Sequence, residues 1–416
     1  MDCGRPVRES DPAPAVVRLP RGLMVLMGAL AALGPFSIDL YLPAFGAIAG
    51  ELRARPDQVQ ATLSTYFAGL AAGQLLVGPL SDRIGRRGPL LAGLALYVLA
   101  SLACALAPDV EALAGWRAVQ AFGACAGLVT SRAVLRDLFS PRDMARALSA
   151  VMLVMGLAPI VAPMVGATVS EVLGWRALFV GLAAYGAVVL VAVAASLPET
   201  RGEAPGRSAA QVVGAFVEVL RTRHFTGHAV AGSLAMAAMF AYIASSSFVF
   251  TQAYGLSTGG FALVFGGTAA SFIAATQVNE RWLRRRSPES TLPAVLGVQA
   301  VASLGVLLAA TTGLGGWVGL SIPLVVCIAS LGFSLPNTTA AAMAPVGHHA
   351  GIAAALLGVI QYGVAGLATW AVGGLYDGTA LPMATAIAVL SVSASVVLFA
   401  STGDRTRVAP ELARSR

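Results

Sequence analysis

The chain has 416 residues, of which 57% are hydrophobic and 11% charged, with a mean hydropathy of +0.78. A water-soluble domain cannot bury that much apolar surface, so the soluble classes are excluded and lipid must be part of the solvent. The net charge of +7 rests on arginine alone, since there is no lysine, and the placement of those arginines makes it a marker of orientation, not of nucleic-acid binding.

Residues 1–21 form a polar, proline-rich tail. Apolar runs then recur near 22–46, 58–79, 88–107, 112–134, 144–169, 174–196, 226–251, 258–279, 291–311, 316–340, 350–373 and 380–401. Each can cross a hydrocarbon core of about 30 Å at about 1.5 Å per residue. The runs are continuous, where barrel strands would alternate over about ten residues, so the fold class is an all-α membrane protein with twelve spans. The first run is too long for a removable signal peptide and lacks a small-residue cleavage site, so it is read as a permanent span. Cys3, Cys104, Cys125 and Cys327 are scattered without paired spacing and predict neither disulfides nor a thiolate metal site.

Of the 27 basic residues, all but Arg53, Arg55, Arg176 and the in-span Arg117 fall on the side of the N-tail, alternate loops and the C-tail 402–416. The positive-inside rule therefore places both termini in the cytoplasm, which requires an even number of spans. The longest loop, 197–225, is cytoplasmic and divides a bundle over 22–196 from one over 226–401. The halves echo one another: DRIGRR at Asp82 to Arg87 follows the second span, and ERWLRR at Glu280 to Arg285 follows the eighth. Two repeated bundles imply a site at their interface near the bilayer midplane, reached alternately from each side.

GPLSDRIGRR at Gly78 to Arg87 resembles the signature between the second and third helices of the major facilitator superfamily. RAVQAFGA from Arg117 resembles the family's R-x-x-Q-G motif, with alanine after Gln120, and GLAPIVAPMVG resembles its antiporter motif. FSIDLYLPAF, RAVLRDLF, GWRALF and LPET together resemble the Bcr/CflA drug-resistance group, closely in the first half and more weakly in the second, through GFSLPNTTA and LLGVIQY. The resemblance implies a proton-coupled antiporter of the bacterial inner membrane. It would work as a monomer without a cofactor and export small amphiphilic drugs of the chloramphenicol, florfenicol or bicyclomycin kind. An exporter of an endogenous metabolite (sugar, nucleoside, amino acid or siderophore) is the alternative.

In the signature, Gly78 and Gly85 allow tight turning, while Asp82, with Arg83 and Arg86, forms a candidate latch meeting the neighbouring bundle in one rocking state. Gly156, Pro159, Pro163 and Gly166 recur at three- and four-residue spacing, giving the fifth helix a small, bendable face. Asp39 and Arg117 are the ionisable residues well inside spans of the first half, where a charge costs about 2.5–3.5 kcal/mol, so both are functional candidates. The expectation is that Asp39 carries the proton and that Arg117 approaches and leaves it; a fixed Asp39–Arg117 salt bridge is the structural alternative. The corresponding acid in related exporters ties Asp39 to proton coupling by resemblance.

Polar and aromatic in-span residues give the substrate-contact candidates Tyr41, Tyr66, Gln120, Phe240, Tyr242, Phe248, Asn337, Gln361 and Tyr362. His224 and His228, four apart, lack the further ligands a metal site needs. No Ser/His/Asp set, metal cluster or phosphate loop points to an enzyme, and a lone Asp–Arg pair is unlike the charge rings of a channel.

Overall fold

The computed structural model describes residues 21–138, 141–200 and 209–402, and within them helices joined by short turns are the only regular structure. The N-tail and C-tail, with Cys3, lie outside the described residues.

The first apolar run is not one helix. It divides into α1, Arg21–Asp39, a 3-10 turn at Leu42–Ala44, and α2, Phe45–Glu51. Pro43 supplies the reason: it has no N–H to give the carbonyl four residues back, that of Asp39, and its ring clashes with that carbonyl. The helix therefore ends at Asp39, and the chain restarts three residues later.

Helices α3 (Pro56–Ile84), α4 (Arg87–Ala105), α5 (Val110–Leu138), α6 (Pro141–Leu173) and α7 (Arg176–Ser196) complete the first half. The second half comprises α9 (Arg223–Phe248), α10 (Thr258–Trp282), α11 (Pro288–Thr312), α12 (Gly316–Met343), α13 (Ala350–Gly374) and α14 (Leu381–Thr402). Eleven segments are long and apolar enough to cross a membrane among the described residues; the remaining run, 144–169, falls on α6, where Leu157–Leu173 forms a shorter apolar stretch.

Between the halves, where a loop was expected over 197–225, lies α8, Ala209–Arg221. Ala215 and Val219 on its buried face pack against Phe225, Ala342, Val346 and Leu356 at the start of α9 and the α12–α13 turn. Short length and polar flanks hid this helix from a search for membrane spans.

The repeat seen in the sequence recurs in the packing. In the first half α5 meets α1, α3 and α4, α4 meets α7, and α1 meets α6 and α7. In the second, α12 meets α9, α10 and α11, α11 meets α14, and α9 meets α13 and α14, pair for pair the same arrangement. The halves join along α3 with α13 and along α6 with α10, again an equivalent pair. Asp82 and Glu280, the repeated acids, occupy matching places in the last turns of α3 and α10.

Candidate functional site between the two halves

Arg117 is fully enclosed, and its surroundings follow from the break in the first span. Ending α1 at Asp39 leaves the last carbonyls of the helix without intrahelical donors. Arg117 Nη2 donates to one of them, that of Ser37, at 2.9 Å. Its Nη1 donates to Gln120 Oε1 at 2.5 Å, and Gln120 Nε2 passes the link to Ser101 Oγ on α4 at 2.7 Å. The guanidinium lies between the rings of Tyr41 and Tyr66, 4.2 and 4.1 Å from their centroids. A cation at a helix C-terminus is favoured by the dipole, and each desolvated ring adds about 2 kcal/mol.

Asp39 is 3% exposed at the end of α1. The expected Asp39–Arg117 ion pair, fixed or otherwise, is not formed in this conformation, and no hydrogen bond or ion pair to the Asp39 carboxyl occurs among the described residues. The guanidinium is already committed to a backbone carbonyl, an amide and two aromatic faces. Asp39 instead lies within electrostatic range of Tyr242 on α9, in the other half.

The antiporter helix α6 brings Gly166 against the break. A Cβ there would stand 1.9 Å from the Leu40 carbonyl oxygen, so only glycine permits this crossing. Pro159 and Pro163 lie inside the same helix, Pro163 buried. Gly156 is among the helix residues whose side-chain surroundings lie outside the described ones.

The substrate-contact candidates separate into groups. Tyr41, Tyr66 and Gln120 surround Arg117. Tyr242 bonds Thr268 at 2.9 Å and stacks on Phe265, and Asn337 exchanges amide hydrogen bonds with Asn279 of α10, both within the second half. Phe248 joins an aromatic contact between the halves, 5.7 Å from Phe45 and 5.9 Å from Tyr376. Phe240 and Tyr362 meet at Phe67 of α3, with centroids 4.3 and 6.3 Å away, and Gln361, half-buried, precedes Tyr362 in the chain. Phe67, central to this cluster, was not singled out from the sequence; an aromatic in an apolar span carries no signal of its own.

The halves are also tied by Ser64 to Thr369 at 2.9 Å and by Ser245 donating to Gln60 at 3.4 Å. At the end of α3 opposite these ties, Arg86 is buried and bonds Asp82, Ser81 at 2.8 Å and Asp137 of α5 at 3.0 Å. Asp82 thus pairs inside its own loop here, not across to the neighbouring bundle as the latch expectation had it, and remains half-exposed. Glu199, which the sequence offered only as part of LPET, accepts from the backbone N–H of Arg86 at 2.7 Å and of Arg87 at 3.1 Å. Gly85 takes φ +103°, a backbone that side chains adopt only under strain, and a Cβ there would stand 2.5 Å from the Glu199 carboxylate and displace it. Gly78 has open space around it, and Arg83 is exposed.

Residues 26–369 match the Major Facilitator Superfamily. An uncharacterised MFS-type transporter of Bacillus subtilis, YdgK, is 35% identical over 92% of this chain and 96% of its own. A bicyclomycin resistance protein homolog of Haemophilus influenzae is 30% identical over 86% and 91%. A D-xylose–proton symporter shares the fold, with a TM-score of 0.69 at 15% identity over 91% of this chain and 96% of that one.

Proposed function

Because this chain belongs to the major facilitator superfamily of membrane transporters, we propose that it is a proton-coupled antiporter exporting small amphiphilic drugs across the bacterial inner membrane. Chloramphenicol-, florfenicol- or bicyclomycin-like compounds are its substrate class, and it works as a monomer with both termini cytoplasmic. The drug class is supported by the bicyclomycin resistance homolog, which covers most of both chains.

The observation that carries the coupling is Asp39: a buried carboxyl without an ion-pair partner among the described residues, placed at a helix break that touches both halves. The 3-10 turn just after it contacts α6 of its own half and α9 and α10 of the other. Rocking the halves changes what surrounds Asp39, so the proton is taken up in one state and released in the other. One proton entering per neutral drug expelled at a potential of about 150 mV supplies roughly 3.5 kcal/mol, a gradient of a few hundred-fold.

The conformation is the one closed to the outside. Phe45, Phe248 and Tyr376, with the Ser64–Thr369 and Gln60–Ser245 bonds, form the outer gate. Closing the inner side would bring the half-exposed Asp82 against the neighbouring bundle, engaging the latch. Phe240, Gln361 and Tyr362 form the drug-facing group.

The test is tracer efflux of chloramphenicol from drug-sensitive bacteria expressing wild type or Asp39→Asn, with and without a protonophore. Efflux lost both in the variant and on uncoupling is the expected result. Uphill efflux retained by Asp39→Asn removes the coupling role, and well-expressed wild type that confers no efflux of chloramphenicol or bicyclomycin redirects the assignment to an endogenous metabolite.

A further inference from the structure

Arg132 stands near the end of the apolar run over 112–134 and counts with the cytoplasmic arginines in the sequence, yet the helix does not end there. Helix α5 runs on to Leu138, six residues or roughly 9 Å further along its axis. It falls on one stripe of α5 with Ala121, Cys125 and Leu128, at helical spacing. Those three are buried, at 0%, 0% and 7% exposure, while Arg132 is exposed.

That stripe faces the interior. Cys125 packs against Gly73 of α3 so closely that a Cβ on the glycine would stand 2.6 Å from that of the cysteine. Arg132 lies within electrostatic range of the Cys125 thiol and, across the boundary between the halves, of the Tyr362 hydroxyl on α13. The exposure therefore opens onto the gap between α3, α5 and α13, and Arg132 makes no ion pair or hydrogen bond among the described residues. Asp39 and Arg117, the other charges this far inside described spans, are 3% and 0% exposed. Arg132 is the charge a molecule entering from the cytoplasm meets, beside the aromatic group Phe67, Phe240 and Tyr362.

Resting on the drug-exporter reading, we propose that Arg132 determines specificity: its guanidinium takes the carboxylate or nitro group of an amphiphile whose apolar body lies on Phe67, Phe240 and Tyr362. A planar guanidinium matches a forked pair of acceptor oxygens, which a lysine ammonium does not reproduce, and its charge repels organic cations from the same gap.

The experiment is equilibrium binding of radiolabelled nalidixate (carboxylate), chloramphenicol (nitro) and tetraphenylphosphonium (cation) to the purified full chain in detergent. Wild type, Arg132→Gln and Arg132→Lys are compared, with the melting temperature of each. The expected result is a rise of at least tenfold in Kd for nalidixate and chloramphenicol in Arg132→Gln. Arg132→Lys should recover more of the nalidixate than of the chloramphenicol affinity, and tetraphenylphosphonium binding should be equal or tighter in Arg132→Gln. Unchanged binding of nalidixate and chloramphenicol in Arg132→Gln overturns the proposal, as does an equal loss for all three probes. Wild type that binds none of the three overturns the drug-exporter reading itself, a result distinct from either of those.

Discussion

Replacing Gly166 with alanine tests whether the crossing of α6 over the first span is as tight as it looks. The added Cβ would stand 1.9 Å from the Leu40 carbonyl oxygen and 2.9 Å from its carbon. A carbon and a carbonyl oxygen settle no closer than about 3.3–3.6 Å. One methyl group therefore requires the two backbones to part by about 1.4 Å, next to Asp39, where the chain is least able to yield because Arg117 already grips the Ser37 carbonyl. Overpacking of this kind costs about 1–3 kcal/mol. If the strain falls on one rocking state only, the balance between the states shifts by roughly 5–150-fold, and transport, which needs both, slows accordingly. The assay is initial-rate chloramphenicol efflux together with thermal unfolding in detergent, with Gly181→Ala in α7 as the control. Gly181 has no atom within 4 Å of its would-be Cβ, and alanine in an exposed helix position stabilises by about 0.4–1 kcal/mol. The expectation is at least a tenfold loss of efflux for Gly166→Ala with a lowered melting temperature, and neither change for Gly181→Ala. Wild-type efflux and melting in Gly166→Ala would refute the reasoning, since the break would then move freely under α6.

Arg117→Lys keeps the charge but gives up the fork that joins Ser37 to Gln120 and the stack between Tyr41 and Tyr66, and is expected to destabilise by about 2–4 kcal/mol. Detergent unfolding curves check it, and an unchanged midpoint would show that charge alone suffices. Gly85→Ala forces a side chain into a left-handed backbone at a cost of about 1–2 kcal/mol and against the Glu199 carboxylate, while Glu199→Gln weakens the charge-assisted bonds from the Arg86 and Arg87 amides. Both variants are expected to speed trypsin cleavage at Arg86 and Arg87, and unaltered digestion would show that the turn holds without Glu199.

The spans and the twofold organisation were legible because lipid leaves few alternatives: once continuous runs exclude barrel strands, every crossing must be a long apolar helix, and arginine is expected at its inner end. The break after Asp39 was not, because hydropathy stays high through Leu40, Tyr41 and Leu42. The signal was Pro43, four residues beyond the acid, which was quoted within a motif but not read for its effect on the Asp39 carbonyl. The absence of an Asp39–Arg117 pair from this conformation has a related reason. Pairing in-span charges considers only side chains as partners, and Arg117 here bonds a carbonyl freed by the break, a group that no residue letter encodes. Arg132, two residues before the end of the apolar run over 112–134, reads as an anchor at the edge of a span, whereas the helix continues to Leu138.

These points bear on how coupling would work. A carboxyl and an arginine locked together would hold their protonation fixed while the halves moved. Here the arginine is secured within the first half, to α4 through Gln120 and Ser101 and to α1 through Ser37, and so does not depend on the partner bundle. Asp39 stands at the other end of the same short segment. Leu40 presses on α6, which packs on α10, and Phe45 leans on Phe248 of α9. On the proposed reading, Arg117 is the fixed point and residues 40–45 are the lever: separation of Phe45 from Phe248 as the outer gate opens must be taken up between Ser37 and Phe45. The acid that feels it is Asp39, which is why the coupling residue belongs at the break and not in the middle of an unbroken helix.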